Sequence, residues 1–459
     1  MVDNAPIAHD LSWPVVSLAE IATKIGSGAT PKGGSANYLA SRSNFALVRS
    51  QNVFDRRFDC SGLAFVSDEQ ADGLRNVILK PDDILLNITG DGVTFGRACI
   101  VPTEVLPACV NQHVSIIRLD PECAYAGYVL AFLTHPDVKQ YIESFNAGGS
   151  RRAITKGHIE SFRLPLPPLS EQRNIASILG TLDDKIDLNR RMNETLEAMA
   201  RAIFKDWFLD FGPTRAKIEG RAPYLAPNVW ALFSDRLDDD GKPEGWRRTI
   251  LEEALSELET GSRPKGGVSE YRFGVPSVGA ESIVGLGIFD YSKTKYVPKE
   301  FFDAMNKGRI KSRDILLYKD GGRPGQFEPH VTLFGDGFPF DSFAINEHVY
   351  RLRAKPELGQ AFLYFWLSSE PAMDEMRIKG TGVAIPGLNS TQVKSLTTLL
   401  PRPELVRAFD AIADTMIARV LANCNEARCL ANIRDLLLPQ LISGQIRVKD
   451  AEKVLEDAL

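Results

Sequence analysis

The stretch LPLPPLSEQRNIASILGTLDDKIDLNRRMNETLEAMARAIFKDWFLDF, residues 164–211, decides the fold of this chain. After its proline-rich start it holds no proline and is rich in residues that favour helices. Apolar and amide side chains recur at alternating steps of four and three, which is the 3.5-residue period of a coiled coil. The predicted seam consists of Ile175, Leu179, Leu182, Ile186, Asn189, Leu196 and Ile203. A helix of about 39 residues, roughly 58 Å long, with one face against a partner helix is therefore expected.

The same pattern returns about 234 residues downstream and supplies that partner. The second predicted seam consists of Phe409, Met416, Val420, Asn423, Leu430 and Leu437, and it weakens at Arg434 and Pro439. A two-fold relation between the copies makes the two helices antiparallel. Near mid-helix Asn189 and Asn423 then either meet and fix the register or lie at the seam's edge in water.

The regions in front of the two helices match as well, in the same order and at offsets of about 231 to 235 residues. Such long-period similarity indicates a duplicated fold, which is either structural only or suited to a two-part target. The matched pairs are GSGATPKGG (26–34) with ETGSRPKGG (259–267), PDDILLNITGDG (81–92) with SRDILLYKDGGR (312–323), VNQHVSIIRLDPE (110–122) with INEHVYRLRAKPE (345–357), and GSRRAI (149–154) with GTGVAI (380–385).

Within each repeat, short apolar runs alternate with Gly, Pro and Asn clusters, which is typical of strands, turns and a few short helices. We therefore predict an α+β fold: two similar α/β domains separated by two long helices that form an antiparallel coiled coil with pseudo-two-fold symmetry. The predicted segments are a first domain over 1–164, a central helix region over 165–212, a linker over 213–245, a second domain over 246–399, a distal helix region over 400–445 and a tail over 446–459.

Composition restricts the function. The 459 residues are 44% hydrophobic and 25% charged, as in folded globular proteins of more than one unit. No run of eighteen apolar residues occurs, and the start MVDNAPIAHDLSWP lacks a signal-peptide pattern, so we expect a cytoplasmic protein without a membrane segment. A net charge of −5 argues against indiscriminate nucleic-acid binding but permits a reader whose basic residues share one face.

Catalytic motifs are lacking. GSGATPKGG is not a P-loop, because the spacing GxxxxGK[ST] is absent, and neither HExxH nor paired CxxC occurs. The Asn-Pro-Pro-Phe/Tyr string of adenine methyltransferases is also missing. Asp82, Asp83 and Asp91 suggest a metal-dependent nuclease only weakly, since no Glu-x-Lys partner accompanies them. The sequence therefore predicts no catalytic residue, no cofactor and no metal site.

The segment PLPPLSEQ at 165–172, running into Ile175 and Leu179, resembles the central conserved region of type I restriction–modification specificity subunits. LLLPQLISGQI (436–446) resembles their second conserved region, and the order of domains covers nearly the whole chain. The resemblance implies a non-catalytic subunit that recognises a bipartite asymmetric site in double-stranded DNA. It also implies docking of two methylation subunits and, through them, of restriction–translocase subunits, which together methylate adenine or cleave DNA. A coiled-coil scaffold that binds only proteins is the alternative.

Base-reading residues are expected among polar side chains on loops that recur in both halves, because Arg and Lys pair with guanine and Asn and Gln with adenine. The glycine-rich loops are alternatively plain turns, and His113 and His348 are alternatively structural histidines. The four candidate sets are Thr30 and Lys32 with Arg263 and Lys265; Asn87, Thr89, Asp91 and Arg97 with Tyr318, Lys319, Arg323 and Gln326; Asn111, Gln112 and His113 with Asn346, Glu347 and His348; and Ser150, Arg151, Arg152 and Lys156 with Lys379 and Thr381.

Overall fold

The computed structural model describes residues 12–31, 34–90, 93–145, 152–321, 325–381 and 386–458. The chain divides into two compact units. Unit 1 contains residues 1–186 together with 430–459, and unit 2 contains residues 187–429. Each unit thus holds one of the two predicted domains and one segment of each long helix, so the compact units cut across the boundaries drawn along the sequence.

Unit 1 is built on small sheets. The four-stranded sheet has the order Ala22–Ser27, Val114–Leu119, Ile84–Asn87 and Ala98–Ile100, all antiparallel. The three-stranded sheet has the order Ala108–Val110, Phe45–Val48 and Ala64–Val66, and its first two strands are parallel. Two-stranded pairs join Val15–Ser17 to Arg163–Pro165, Thr89–Gly90 to Arg152–Ala153, and Val53–Phe54 to Arg57–Phe58.

Unit 2 repeats this topology. Its four-stranded sheet has the order Leu255–Thr260, Val349–Ala354, Ile315–Tyr318 and Val331–Leu333, and each neighbouring pair is antiparallel. Its three-stranded sheet has the order Lys295–Val297, Val275–Val278 and Ala344–Ile345, and the last pair is parallel. Arg247–Ile250 pairs with Thr397–Leu400 as the first and last strands of unit 1 do. The duplication in sequence is therefore a duplication of fold.

Four short helices correspond between the units: Asp68–Asp72, Ala126–Leu133, Pro136–Ser144 and Lys156–Glu160 in unit 1, and Lys299–Ala304, Gln360–Leu367, Glu370–Lys379 and Ser390–Lys394 in unit 2. Unit 1 also has the helices Leu18–Ile21 and Val448–Ala458, and unit 2 also has Gly212–Ile218 and Pro227–Trp230. The helices starting at Lys156 and Ser390 begin with the same device, a polar N-cap. Thr155 accepts from the backbone of His158, and Asn389 accepts from that of Gln392. These caps satisfy N–H groups that the first helical turn leaves unpaired.

A buried ion pair repeats in the two main sheets. Asp83 is fully buried and Arg118 donates to both of its oxygens at 2.7 Å. In unit 2 Asp314 is 2% exposed and accepts from Arg353, at 2.8 Å for the Nη2 atom. Because an unpaired buried carboxylate is costly, each sheet needs its arginine.

The two long helices are the central helix, Leu169–Phe204, and the distal helix, Pro403–Ser443. The central helix has 36 residues, about 54 Å at 1.5 Å per residue, and continues into a π-helical turn over Lys205–Leu209. The distal helix runs through Pro439 without ending. The α+β class and the long helices predicted from the sequence are confirmed.

The two helices contact each other in both units, and the contacts in unit 2 show that they run antiparallel. In unit 1 Asp183 of the central helix accepts from Arg434 of the distal helix at 2.8 Å. In unit 2 Asn189 donates to Glu426 at 2.9 Å, and Asn193 accepts from Asn423 at 2.8 Å. Residue numbers thus rise along one helix while they fall along the other.

The helix seams belong to the cores of the units. In unit 1 Ile175, Leu179 and Leu182 join the hydrophobic core that also holds Leu430 and Leu437. In unit 2 Phe409 and Val420 are at most 1% exposed. The remaining apolar seam residues are half-buried against these cores, namely Ile186 in unit 1 and Leu196, Ile203 and Met416 in unit 2. The seam faces therefore bury themselves against the recurring α/β folds as well as along the helix pair.

The two seam asparagines are 1% exposed, so neither lies at a solvated edge. They do not bond to each other, since Asn189 donates to Glu426 and Asn423 donates to Asn193. Each amide thus bonds to a side chain one helical turn from the other asparagine. The Oδ1 atoms of both are buried without a hydrogen-bond partner, which makes this polar layer costly and specific in register.

The segment predicted as a linker over 213–245 is largely packed into unit 2. Thr214 and Ala216 are fully buried, and Phe233 is 4% exposed. The acidic turn closes on itself, because Lys242 donates to Asp240 at 2.9 Å and contacts Asp238.

Candidate nucleic-acid interface

In each unit a glycine fixes the loop that leads to the first candidate residue. Gly28 donates to the carbonyl of Asn111 at 3.1 Å, and Gly261 donates to that of Asn346 at 3.2 Å. A Cβ atom on Gly28 would lie 1.7 Å from the Val110 carbonyl oxygen, and one on Gly261 would lie 1.6 Å from the Ile345 oxygen. Only glycine permits this close approach of two backbones, so the loop is held in the same place in both units.

The second fixed point is a pair of asparagines before a strand. The Oδ1 atom of Asn111 accepts from the backbone of His113 at 3.0 Å, and Asn346 holds His348 in the same way at 2.9 Å. Asn111 and Asn346 are candidates from the sequence, and the geometry gives them the task of orienting the histidines, since a side chain–backbone bond of this kind fixes a turn.

Four residues of unit 1, distant in the sequence, form a hydrogen-bonded chain that we call cluster 1: Thr30, Gln112, His113 and Thr89. The Thr30 hydroxyl contacts the amide oxygen of Gln112. The Gln112 amide nitrogen lies 3.0 Å from His113 Nε2, and His113 Nδ1 lies 2.5 Å from the Thr89 hydroxyl. With the amide nitrogen donating, Nε2 accepts and Nδ1 carries the proton. Cluster 1 therefore presents neutral donors and acceptors.

The equivalent residues of unit 2 form cluster 2: Arg263, Glu347, His348 and Asp320. Arg263 Nε lies 2.6 Å from Glu347 Oε1, His348 Nε2 lies 3.5 Å from the same oxygen, and His348 Nδ1 contacts Asp320. Each histidine thus turns Nδ1 and Nε2 toward equivalent positions in the two units. The frame is shared, while three of the four side chains change from neutral to charged.

Lys319 extends cluster 2. It donates from Nζ to the Glu347 carbonyl at 3.1 Å and lies over the Tyr350 ring at 5.8 Å. Nearby, Tyr318 stacks on Phe327 with ring centroids 5.8 Å apart. Burial raises the pKa of the Tyr318 phenol, and the carboxylates of Asp320 and Glu281 raise it further. This hydroxyl therefore remains a hydrogen-bond donor at neutral pH.

Asn87 has a different place. It is fully buried, and its amide nitrogen donates to the carbonyls of Ser50 and Thr94, each at 3.0 Å. A base contact would require these bonds to break, so we remove Asn87 from the base-reading candidates and assign it to holding two loops together.

Two further candidate side chains donate hydrogen bonds to backbone carbonyls of the protein itself. Lys379 donates to the carbonyl of Ser395 at 2.9 Å, and Thr381 donates to that of Ile378 at 3.0 Å. Both bonds satisfy backbone oxygens near a helix end.

The other described candidates are accessible. Lys156 is exposed and pairs with Glu160 at 3.4 Å, and Lys265 is exposed. The Arg97 guanidinium lies 4.5 Å from the centroid of the Phe54 ring, and the Arg57 guanidinium lies 4.4 Å from the same centroid. Such cations remain available to phosphates.

The structure does not describe all of the candidate DNA-binding residues. Lys32, Asp91, Ser150, Arg151 and Arg323 lie outside the described residues, and Arg152 is described only as part of the strand Arg152–Ala153. The geometry also adds residues that the sequence candidates did not include: Asp320 of cluster 2, and Phe54 with Arg57. The signal for Asp320 was present, because it lies 231 positions after Thr89, as the strand before it does.

None of the helices in the described ranges has the length and apolarity that crossing a membrane requires.

Comparison with known proteins shows which proteins the chain resembles. Residues 11–198 match the family model described as the type I restriction modification DNA specificity domain. The chain is 24% identical to the HindI specificity subunit of Haemophilus influenzae, over 88% of this chain and 94% of that protein. It is 22% identical to the EcoKI specificity subunit of Escherichia coli K12, over 95% of this chain and 89% of that protein.

A crystal structure of a type I restriction–modification S subunit from M. genitalium has a similar fold, with a TM-score of 0.53 and 13% identity. The match covers 96% of this chain and 97% of that one. At this identity the likeness concerns the fold alone. Residues 11–198 therefore match the DNA specificity domain family of type I restriction–modification systems, and along most of its length the chain is similar to their specificity subunits.

Proposed function

We propose that this chain recognises a bipartite, asymmetric site in double-stranded DNA, with unit 1 reading one part and unit 2 the other. The observation that carries the proposal is the pair of clusters. Both occupy the same place in a duplicated frame, yet cluster 1 is neutral and cluster 2 is charged. A shared frame positions side chains, and a change of side chains changes the bases they prefer.

We further propose that the long helices dock two methylation subunits, which in turn recruit restriction–translocase subunits, and that methylation and cleavage belong to these partners. Large apolar side chains on the helices support a protein-binding role. Leu188 and Met199 of unit 2 are 46% and 48% exposed, and Leu436 of unit 1 is 60% exposed. Exposed apolar side chains on an otherwise charged helix are typical of contact surfaces. The free cysteines agree with a cytoplasmic location.

The central test combines methylome sequencing with binding. Cells that carry the full system with and without this gene are compared for methylated adenine, which yields the site. The chain with its methylation subunits is then titrated with short duplexes that contain or lack that site, at several salt concentrations. Salt-dependent, sequence-selective binding is expected. Protein assembly without any DNA binding would instead support the scaffold.

Docking has its own test. Met199→Lys places a charge on the exposed helix face, and we expect recovery of the methylation subunit by co-purification to fall at least tenfold, because a charge at an apolar contact is poorly solvated. Lys205→Ala, an exposed change on the same stretch, is the control. Equal recovery with both variants would remove Met199 from the docking surface.

A further inference from the structure

In cluster 2 the arginine is held by one edge only. Glu347 Oε1 lies 2.6 Å from Nε of Arg263, whose side chain is half exposed. Among the described residues no further ion pair holds the two terminal nitrogens of Arg263, so both remain free to donate. A guanidinium fixed through Nε presents these nitrogens as a fork of defined direction.

The carboxylate that holds Arg263 is itself positioned. His348 Nε2 lies 3.5 Å from Glu347 Oε1, and Lys319 donates to the Glu347 carbonyl. His348 is in turn fixed by Asn346 and Asp320. This arrangement reduces the rotamer freedom that a long arginine side chain loses on binding.

Unit 1 has no such fork at the same place. The equivalents of Arg263 and Glu347 are Thr30 and Gln112, which contact each other and carry no charge. The difference rests on the same glycine-anchored loop, so it is a difference of chemistry on one frame.

We propose that Arg263, held by Glu347, reads a guanine in the part of the site bound by unit 2, by donating from its terminal nitrogens to O6 and N7 in the major groove. This inference rests on the proposed function and assigns the recognition of one guanine to one residue, Arg263. Guanine is the base whose major-groove edge offers two adjacent acceptors, which matches a two-donor fork. Unit 1, which carries Thr30 at this position, does not select guanine there.

The test uses the full chain in complex with its methylation subunits and duplexes that contain its methylated site. Each guanine is replaced in turn by 7-deazaguanine, which lacks the N7 acceptor. For the wild type one guanine should be sensitive, with affinity falling by about 2- to 12-fold, because O6 remains and only one of the two bonds of a bidentate base contact is lost. Arg263→Ala should bind both duplexes with the same reduced affinity, because the contact is already absent.

Two further variants separate reading from charge and from folding. Arg263→Lys keeps the charge but replaces the two-donor fork by a single ammonium group, so its sensitivity to 7-deazaguanine should be smaller than that of the wild type. Lys265→Ala removes an exposed cation from the same loop and should weaken binding to all duplexes equally, with a shallower salt dependence. Thermal unfolding of each complex shows whether a variant is folded.

Several results would overturn the inference. Arg263→Ala could weaken binding equally on every sequence, which would make Arg263 a phosphate contact. Its loss could instead map to a position without guanine, or the 7-deazaguanine penalty could persist in Arg263→Ala. If the wild-type complex binds DNA without any sequence preference, the proposed function fails first, and that result is separate from these.

Discussion

We expect the carboxyl group of Asp410 to make the stability of unit 2 depend on pH. Asp410 lies on the distal helix, and its Oδ1 accepts from the backbone of Phe362 at 2.8 Å, at the start of the helix Gln360–Leu367. Burial raises its pKa from the ordinary 3.8 to about 7, although the bond from Phe362 opposes this. The folded state therefore binds a proton that the unfolded chain releases at lower pH.

The protonated carboxyl group of Asp410 stabilises unit 2 at low pH. With the folded pKa above the unfolded one, the stabilisation is complete below pH about 4 and is lost as pH rises through about 7. Each pKa unit corresponds to about 1.4 kcal/mol, so the difference is worth at most about 4 kcal/mol. Because Asp410 is only half-buried, we expect about 2 kcal/mol to be observed. Asp410→Asn keeps the acceptor oxygen without the charge and should remove this pH dependence.

The assay is urea unfolding at pH 4.5, 6 and 8, followed by tryptophan fluorescence. Four of the five tryptophans, Trp207, Trp230, Trp246 and Trp366, lie in unit 2, so the signal reports mainly on that unit. Wild type should lose about 2 kcal/mol between pH 4.5 and 8, relative to Asp410→Asn. Glu300→Gln, an exposed change in the same unit, should follow the wild type. An Asp410→Asn variant that keeps the wild-type slope would refute the reasoning.

Two other perturbations test unit 1. Asp183 accepts from Arg56 and Arg434, whose side chains are 8% and 20% exposed, so Asp183→Asn should lower the free energy of unfolding by about 3 kcal/mol. The neighbouring change Asp184→Asn, at an exposed position, should change it little in calorimetry, and equal effects would disprove the bridge. Gly28→Ala should abolish stable folding of the loop and selective DNA binding, because its Cβ would lie 1.7 Å from a carbonyl oxygen, whereas Gly26→Ala meets nothing within 4 Å. Circular dichroism and duplex binding of the two variants check this contrast.

Much of the architecture is predictable because two periodicities are long and regular. The heptad pattern through Leu179 and Leu182 indicates a helix whatever it packs against, and the structure has one over Leu169–Phe204. The matched strings around Ile84 and Ile315 indicate equivalent strands, and both become inner strands of four-stranded sheets. Both patterns can be recognised in the sequence without knowing how the elements pack against one another.

The division of the chain into two compact units, each with part of both long helices, is harder to predict from the sequence. A heptad pattern shows that a face is buried, but it does not show which elements cover it. Leu182 and Leu437 are covered within unit 1 together with an α/β fold, and Phe409 likewise within unit 2. The choice depends on tertiary packing, which spacing along the chain does not encode.

The sequence predicted several residues of the candidate site, but it did not predict the hydrogen bonds that join them. Thr30, Thr89 and His113 are far apart in sequence, and only the folded sheet brings them into one hydrogen-bonded chain. Asn87 is a residue that the sequence predicted for the site but that the fold uses elsewhere. The amide chemistry that suits adenine also suits two backbone carbonyls, and burial alone distinguishes the two uses.

The composition of unit 1 bears on how the protein is made. Leu430, Leu437, Leu441 and Ile442 belong to the same core as Leu18 and Phe132, near the opposite end of the chain. During synthesis Leu18 and Phe132 leave the ribosome long before Leu430 and Leu437, so that core closes only after the distal helix has been made, whereas unit 2 is one continuous stretch. A nascent chain stalled before residue 430 would hold all of unit 2 but would lack the part of the unit 1 core that the distal helix supplies, so apolar residues of unit 1 would stay exposed.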